Sequence, residues 1–211
     1  MIHFVGAGPG AADLITMRGH QLLTEADVII YAGSLVNPEL LQYAKASCSI
    51  YNSASMTLEE VIDVMKQAEE KNQMTVRLHT GDPSLYGAIR EQMDQLDKDN
   101  ISYDVVPGVS SFCGAAAALK AEYTLPNVSQ SVIITRMAGK TPVPEKEEIA
   151  LLAAHQATMV IFLSTGMLEQ LSQRLLAGGY QTDTPAAIVY KATWNDEKVC
   201  HCTVATLAQT A

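Results

Sequence analysis

The chain has 211 residues, 48% of them hydrophobic, enough to bury the core of one large or two small domains. A formal net charge of −9 lacks the basic footprint that nucleic acid demands, so no nucleic-acid partner is expected and any polyanionic ligand must be met by locally placed Arg and Lys. With no run of about 18 apolar residues and no basic, apolar leader, the expectation is a cytoplasmic protein without a membrane partner.

In chain order, Ile2–Val5, Asp27–Tyr31, Cys48–Tyr51, Met74–Leu78 and Tyr103–Val106 read as strands, short and rich in β-branched and aromatic residues. Thr57 and Glu60 form a capping box for a helix whose Leu58, Val61, Ile62 and Met65 share one face. Tyr86, Ile89, Met93 and Leu96 make a similar stripe. Strand–helix alternation of this kind implies an α/β fold with a parallel sheet and right-handed crossovers. Leu125–Ser129, with Pro126 and Asn127, reads as a linker separating a domain of residues 1–123 from one of residues 124–211. Beyond it, strands are expected at Ser131–Thr135, Met159–Leu163, Ala186–Tyr190 and Val199–Val204, with helices near Glu145–Ala154 and Met167–Leu176. A hairpin across Asn195-Asp196 makes the second sheet mixed. Ala205–Ala211 reads as a starting helix, with a closing strand expected beyond it.

The cysteines Cys48, Cys113, Cys200 and Cys202 fall at no zinc-ligand spacing and are expected to be free thiols. In a strand, Cys200 and Cys202 point to one face and His201 to the other, so no metal site is expected there.

Three glycine-bearing turns carry the functional reading. Gly6-Ala7-Gly8-Pro9-Gly10 follows the first strand, His79-Thr80-Gly81-Asp82-Pro83-Ser84-Leu85-Tyr86-Gly87 the fourth, and Pro107-Gly108-Val109-Ser110-Ser111 the fifth. In open α/β sheets such turns lie at the carboxyl edge of the strands, where ligands bind. Gly81 and Gly87 permit backbone angles or a close approach that a β-carbon would block, in a turn expected at the surface. Pro83 is expected just inside the following helix. The Gly6-x-Gly8-x-Gly10 pattern is not a dinucleotide fingerprint. Its third glycine comes one residue early, Pro9 lacks an N–H, and the strand ending at Tyr31 has no acid at its tip. There is no GxxxxGK[ST] either, so the cleft suits a compact ligand held by backbone groups and small side chains.

Val5-Gly6-Ala7-Gly8-Pro9-Gly10, followed by Asp13-Leu14-Ile15-Thr16 and Arg18-Gly19, resembles the opening motif of the tetrapyrrole (precorrin and uroporphyrinogen) methyltransferases. Gly81-Asp82-Pro83 with Tyr86-Gly87, Val106-Pro107-Gly108-Val109-Ser110-Ser111, and Thr184-Pro185-Ala186-Ala187 match three further motifs, in family order over nearly the whole chain. Tyr31–Asn37 and Ile134–Gly139 with Thr141–Pro144 most resemble precorrin-4 or cobalt-precorrin-4 C11-methyltransferases of cobalamin synthesis. The resemblance implies a two-domain tetrapyrrole methylase fold with S-adenosylmethionine (SAM) in a cleft between the domains, a tetrapyrrole substrate, and a homodimer. It places SAM contacts at Pro9, Thr80, Gly81, Asp82, Leu85, Ser110, Ser111, Leu163 and Ala192; Leu163 stands where many relatives have methionine. Tyr31, Ser34, Arg90, Arg136 and Met137 are candidates to face the macrocycle, with Lys120, Lys140 and Lys191 as further basic groups.

Several residues keep two readings. Asp82 either caps a helix at Ser84 or accepts hydrogen bonds from SAM; Ser110 and Ser111 cap the helix over Ala115–Ala118, contact the ligand, or both. His79 reads as a buried structural histidine and not as a base. No paired-acid or Ser/His/Asp set is present, and none is needed if rate comes from aligning a nucleophilic ring carbon with the sulfonium methyl. The alternatives are methylation at C20, C17 or C2, or a module that binds SAM or tetrapyrrole without turnover.

Overall fold

The computed structural model describes residues 1–139 and 141–210; Lys140 and the last residue of the expected helix Ala205–Ala211 lie outside the described residues. The chain forms two compact units, one of Met1–Gly114 with Lys191–Asn195, the other of Ala115–Tyr190 with Asp196–Ala211.

The first unit is built on five strands: β1 (Ile2–Gly6), β2 (Val28–Tyr31), β3 (Ser49–Asn52), β4 (Thr75–His79) and β5 (Tyr103–Val106), in the order β3-β2-β4-β1-β5. Every neighbouring pair is parallel, so all five carboxyl ends share one edge. The expected strands match these within a residue or so. The three glycine-bearing turns leave β4, β1 and β5, which are adjacent. Connections run through α1 (Met17–Glu25), α2 (Leu58–Glu70) and α3 (Arg90–Lys98), and α4 (Ser111–Leu119) follows β5.

Alternation along the strands separates two apolar layers. Val5, Ile29, Val76, Leu78 and Val106 pack with Leu23 and Leu40 on one face, and Ile2, Phe4, Val28 and Ile30 pack with Val61, Ile62, Met65 and Leu96 on the other. The capping box of α2 forms as expected: the Thr57 N–H donates to Glu60 Oε2 at 2.7 Å, and the Glu60 N–H donates to Thr57 Oγ1 at 3.3 Å. The second layer also holds a polar column of buried Thr75, Arg77 and His79. Arg77 donates to Gln92 Oε1 (3.0 Å) and the Ile30 carbonyl (3.1 Å), and burial lowers its pKa to about 10. His79 stacks on Phe4 with ring centroids 6.0 Å apart. Burial, and then the nearby Arg77 charge, push its pKa down to about 3, so the imidazole is neutral.

One local expectation is overturned. Helix α3 begins at Arg90, well after Pro83, and Tyr86 is exposed outside its apolar stripe. Tyr86 and Ala88 have φ of 57° and 51°, and a β-carbon on Gly87 would lie 2.2 Å from the Pro83 carbonyl oxygen. The segment therefore turns tightly instead of entering a helix. Ile89, Met93 and Leu96 keep the packing face.

The second unit pairs β6 (Val132–Arg136) with β7 (Thr158–Phe162) in parallel and β8 (Pro185–Tyr190) with β9 (Lys198–Thr203) as an antiparallel hairpin. Both pairing senses of a mixed sheet occur, in two separate ladders. With α5 (Ile149–Ala153), α6 (Leu168–Ala177) and α7 (Leu207–Thr210), it buries Met137, Ile149, Ala153, Leu171, Leu175, Val204 and Leu207. The expected linker is a tight turn closed by a bridge between Leu125 and Ser129. In β9, Cys200 and Cys202 are half-buried while His201 is exposed, and all four cysteines are free thiols. Among the described residues no helix is long and apolar enough to cross a membrane.

Candidate functional site

The three turns at the edge of β4, β1 and β5 meet backbone to backbone. A β-carbon on Gly6 would lie 2.5 Å from Gly108 Cα and 2.6 Å from the Gly81 oxygen, and one on Gly108 would lie 2.2 Å from that same oxygen. The Gly81 N–H donates to the Gly8 carbonyl at 2.9 Å, the Gly8 N–H returns to the Gly81 carbonyl at 3.3 Å, and the Ala7 N–H donates to the His79 carbonyl at 2.7 Å. Gly81 has φ of +61° and is buried, so this turn is not the surface feature that the sequence suggested. Its conformation disfavours any side chain, although a β-carbon there would meet its neighbours only at 3.5 Å, an ordinary contact.

Asp82 locks the β4 turn to the β5 turn. Oδ1 accepts from the Ser84 N–H (2.8 Å) and the Ser84 hydroxyl, and Oδ2 accepts from the Gly108 N–H at 2.9 Å. Burial pushes its pKa up, but these hydrogen bonds from Ser84 and Gly108 outweigh that and hold the carboxyl below its usual range. The carboxylate closes a local turn and a loop–loop contact; it does not cap a helix at Ser84, where no helix starts.

Beside this lock stands a buried hydroxyl, Thr80 Oγ1, without a hydrogen-bond partner. Buried polar groups are ordinarily paired, so an orphan on this turn is a hydroxyl open to pairing with a ligand atom or water. Ser110 is buried at the start of α4, and Ser111 and Leu85 are half-buried.

Pro9, Gly10 and Ala192 meet through a residue that sequence reasoning missed. Trp194 Nε1 donates to the Pro9 carbonyl at 3.2 Å, and a β-carbon on Gly10 would lie 2.2 Å from the indole. The Ala11 N–H donates to Thr193 Oγ1 at 2.9 Å, and Asn37 Nδ2 donates to the Gly10 carbonyl at 2.9 Å. Lys191–Asn195 thereby wraps the β1 turn within the first unit, with Ala192 buried against it. The available signal was the single tryptophan of the chain, placed in a hairpin connection.

The macrocycle candidates are less uniform. Tyr31 ends β2 half-buried and Ser34 is exposed in the following turn. Arg90 is exposed and paired with Asp94 one turn along α3, an ion pair that raises its pKa. Arg136 points its guanidinium at its own loop: Nη1 donates to the Met137 (3.2 Å) and Thr141 (3.0 Å) carbonyls and Nη2 to the Pro142 carbonyl at 2.8 Å. Met137 is buried in the core of the second unit, so its side chain packs and does not face a ligand. Leu163, just after β7, is 72% exposed with φ of +54°, a strained backbone for a bulky residue.

The family model described as tetrapyrrole (corrin/porphyrin) methylases matches residues 1–208. A cobalt-precorrin-4 C(11)-methyltransferase of Methanocaldococcus jannaschii is 56% identical over 205 residues, covering 97% of this chain and 79% of that protein. The X-ray structure of a cobalt precorrin-4 methyltransferase, a cobalamin biosynthetic enzyme, superposes with a TM-score of 0.96 at 44% identity, over 99% of this chain and 87% of that one. A uroporphyrin-III C-methyl transferase from Thermus thermophilus, solved with S-adenyl homocysteine, shares the fold with a TM-score of 0.81 at 23% identity, over 99% and 85% of the two chains. This chain belongs to the tetrapyrrole (corrin/porphyrin) methylase family.

Proposed function

We propose that this protein transfers a methyl group from SAM to C11 of cobalt-precorrin-4, a step of cobalamin biosynthesis. The observation that carries this reading is the 56% identity, along 97% of the chain, to a protein named for that reaction. We place the donor at the three-turn lock of the first unit, whose residues suit the group. It offers glycine backbone at Gly81 and Gly108, the orphan hydroxyl of Thr80, and the small side chains of Ser110 and Ser111. We assign donor contacts to these residues and to Pro9, Asp82, Leu85, Leu163 and Ala192.

When bound, SAM supplies a methyl group on a cationic sulfur, already activated toward a nucleophilic carbon. The chain's own task is to align and to exclude water. Fixed backbone dipoles at the Gly8–Gly81–Gly108 junction need no reorganisation as charge moves. Asp82 has both oxygens engaged and His79 is neutral and buried, so neither stands ready as a base. Tyr31 and Ser34 are assigned to the tetrapyrrole side, where basic groups such as Lys120 and Lys191 meet its carboxylates. The working form is a cytoplasmic homodimer.

The reading is tested by incubating the protein with SAM and cobalt-precorrin-4 and following S-adenosylhomocysteine (SAH). Stoichiometric SAH release is expected; tight SAH binding with no release in the presence of acceptor would make the chain a binding module.

A further inference from the structure

The carboxyl ends of β6 and β7 carry two loops joined by a residue with no assigned role. Ser164 is 2% exposed, and its hydroxyl works in both directions. Oγ donates to the Phe162 carbonyl at 2.7 Å and accepts from the Met137 N–H at 3.1 Å. One atom thus pins the last residue of β7 to the first residue after β6. The pin brackets Leu163, which lies between Phe162 and Ser164, exposed and at positive φ. On the other side, Arg136 donates to the carbonyls of Met137, Thr141 and Pro142.

An exposed leucine in a left-handed conformation persists only where its surroundings over-determine it, and such strain collects at functional positions. An exposed leucine makes too few contacts to hold itself there, so the buried hydroxyl next to it is the element that does. Both loops also lie at carboxyl ends of parallel strands, the edge at which α/β folds bind ligands.

We propose that Ser164 is a positioning residue for the methyl transfer: its hydroxyl fixes the backbone that presents Leu163 and the start of the segment after β6, at Met137, to the reactants. This rests on the function proposed above. Removing the hydroxyl takes away the hydrogen bond from the Met137 N–H and the one to the Phe162 carbonyl, and lets the leucine relax toward ordinary backbone angles.

Ser172 supplies a control, because its hydroxyl is likewise buried in the second unit but donates to the Val204 carbonyl at 2.6 Å, a residue of neither loop. The experiment compares wild type, Ser164→Ala, Ser172→Ala and Leu163→Gly in thermal unfolding, SAH calorimetry and steady-state turnover of cobalt-precorrin-4. Ser164→Ala and Ser172→Ala should unfold at similarly lowered temperatures. Of the two serine variants, only Ser164→Ala should lose kcat/KM, by about tenfold or more, since misplacement of about an ångström can cost roughly a hundredfold. Leu163→Gly relieves the positive φ and so folds at least as stably, yet it should weaken SAH binding and turnover. Equal kinetics of the two serine variants overturns the proposal, as does wild-type behaviour of Leu163→Gly should Ser164→Ala fail to fold. If wild type binds SAH but does not methylate the acceptor, the proposed reaction fails alone, and the SAH affinities of the variants still decide the role of Ser164. Wild type that binds no SAH overturns both.

Discussion

Gly81 is glycine because of its backbone conformation and not for want of space. Its φ of +61° penalises any β-carbon by about 1–2 kcal/mol. A Cβ there would meet Ser110 Cα and the Ser111 nitrogen at 3.5 Å, an ordinary contact, so alanine fits sterically. Gly81→Ala should therefore fold with a loss of about 1–2 kcal/mol, whereas the branched Gly81→Val should fold poorly. Both should lose SAH affinity by calorimetry, and unchanged affinity in Gly81→Ala would remove this turn from the donor site. His79 gives a second prediction at the same scale. Its pKa falls from 6.5 to about 3 on folding, so the unfolded chain binds the extra proton and stability declines as pH drops from about 6.5 toward 3. The decline from this group approaches about 1.4 kcal/mol per pH unit. Denaturant unfolding of His79→Leu between pH 4 and 7 should show that slope removed; an unchanged slope would mean that His79 is not the buried neutral group described.

At the scale of elements, the Asp82 carboxylate joins the β4 and β5 turns. Asp82→Asn keeps an oxygen for Ser84 but turns an N–H donor toward the Gly108 N–H, so about 1–3 kcal/mol of stability should be lost, together with SAH affinity. Because the folded pKa is depressed, this contribution is present above the ordinary carboxylate range and disappears as pH falls through the folded value. Wild-type stability of Asp82→Asn at neutral pH would show that the lock carries no weight. The single tryptophan, packed on the β1 turn through Pro9 and Gly10, should change its fluorescence when SAH occupies that turn. The elements themselves were legible before the structure. Short β-branched and aromatic runs and the Thr57–Glu60 box marked the strands and α2 because those signals depend on near neighbours. Glycine spacing marked the three turns for the same reason. The late start of α3 was not legible, since left-handed Tyr86 and Ala88 follow from contact of Gly87 with Pro83 and not from any propensity. Nor were Trp194 and Ser164: Trp194 acts on a turn 185 residues away in sequence and Ser164 on one 27 away, and hydrophobic periodicity is silent about such pairs. Arg136 looked like an anion ligand because sequence shows a charge and not the three carbonyls that engage it.

At the scale of the whole molecule, a chain of net charge −9 is proposed to handle a polycarboxylate, so recognition must be local and regiochemistry must be set by fit. Tyr31 and Arg136 stand at the carboxyl ends of strands in their respective units, where a ligand edge can be held. Sedimentation should find a homodimer, and a monomer at working concentration would remove that part of the proposal. The central claim concerns which carbon is methylated. Methyl-labelled SAM and cobalt-precorrin-4, turned over by the wild-type protein, give a product whose carbon NMR spectrum reports the position directly. One labelled methyl at C11, with one equivalent of SAH, is the predicted result; a labelled methyl at any other ring carbon would contradict it.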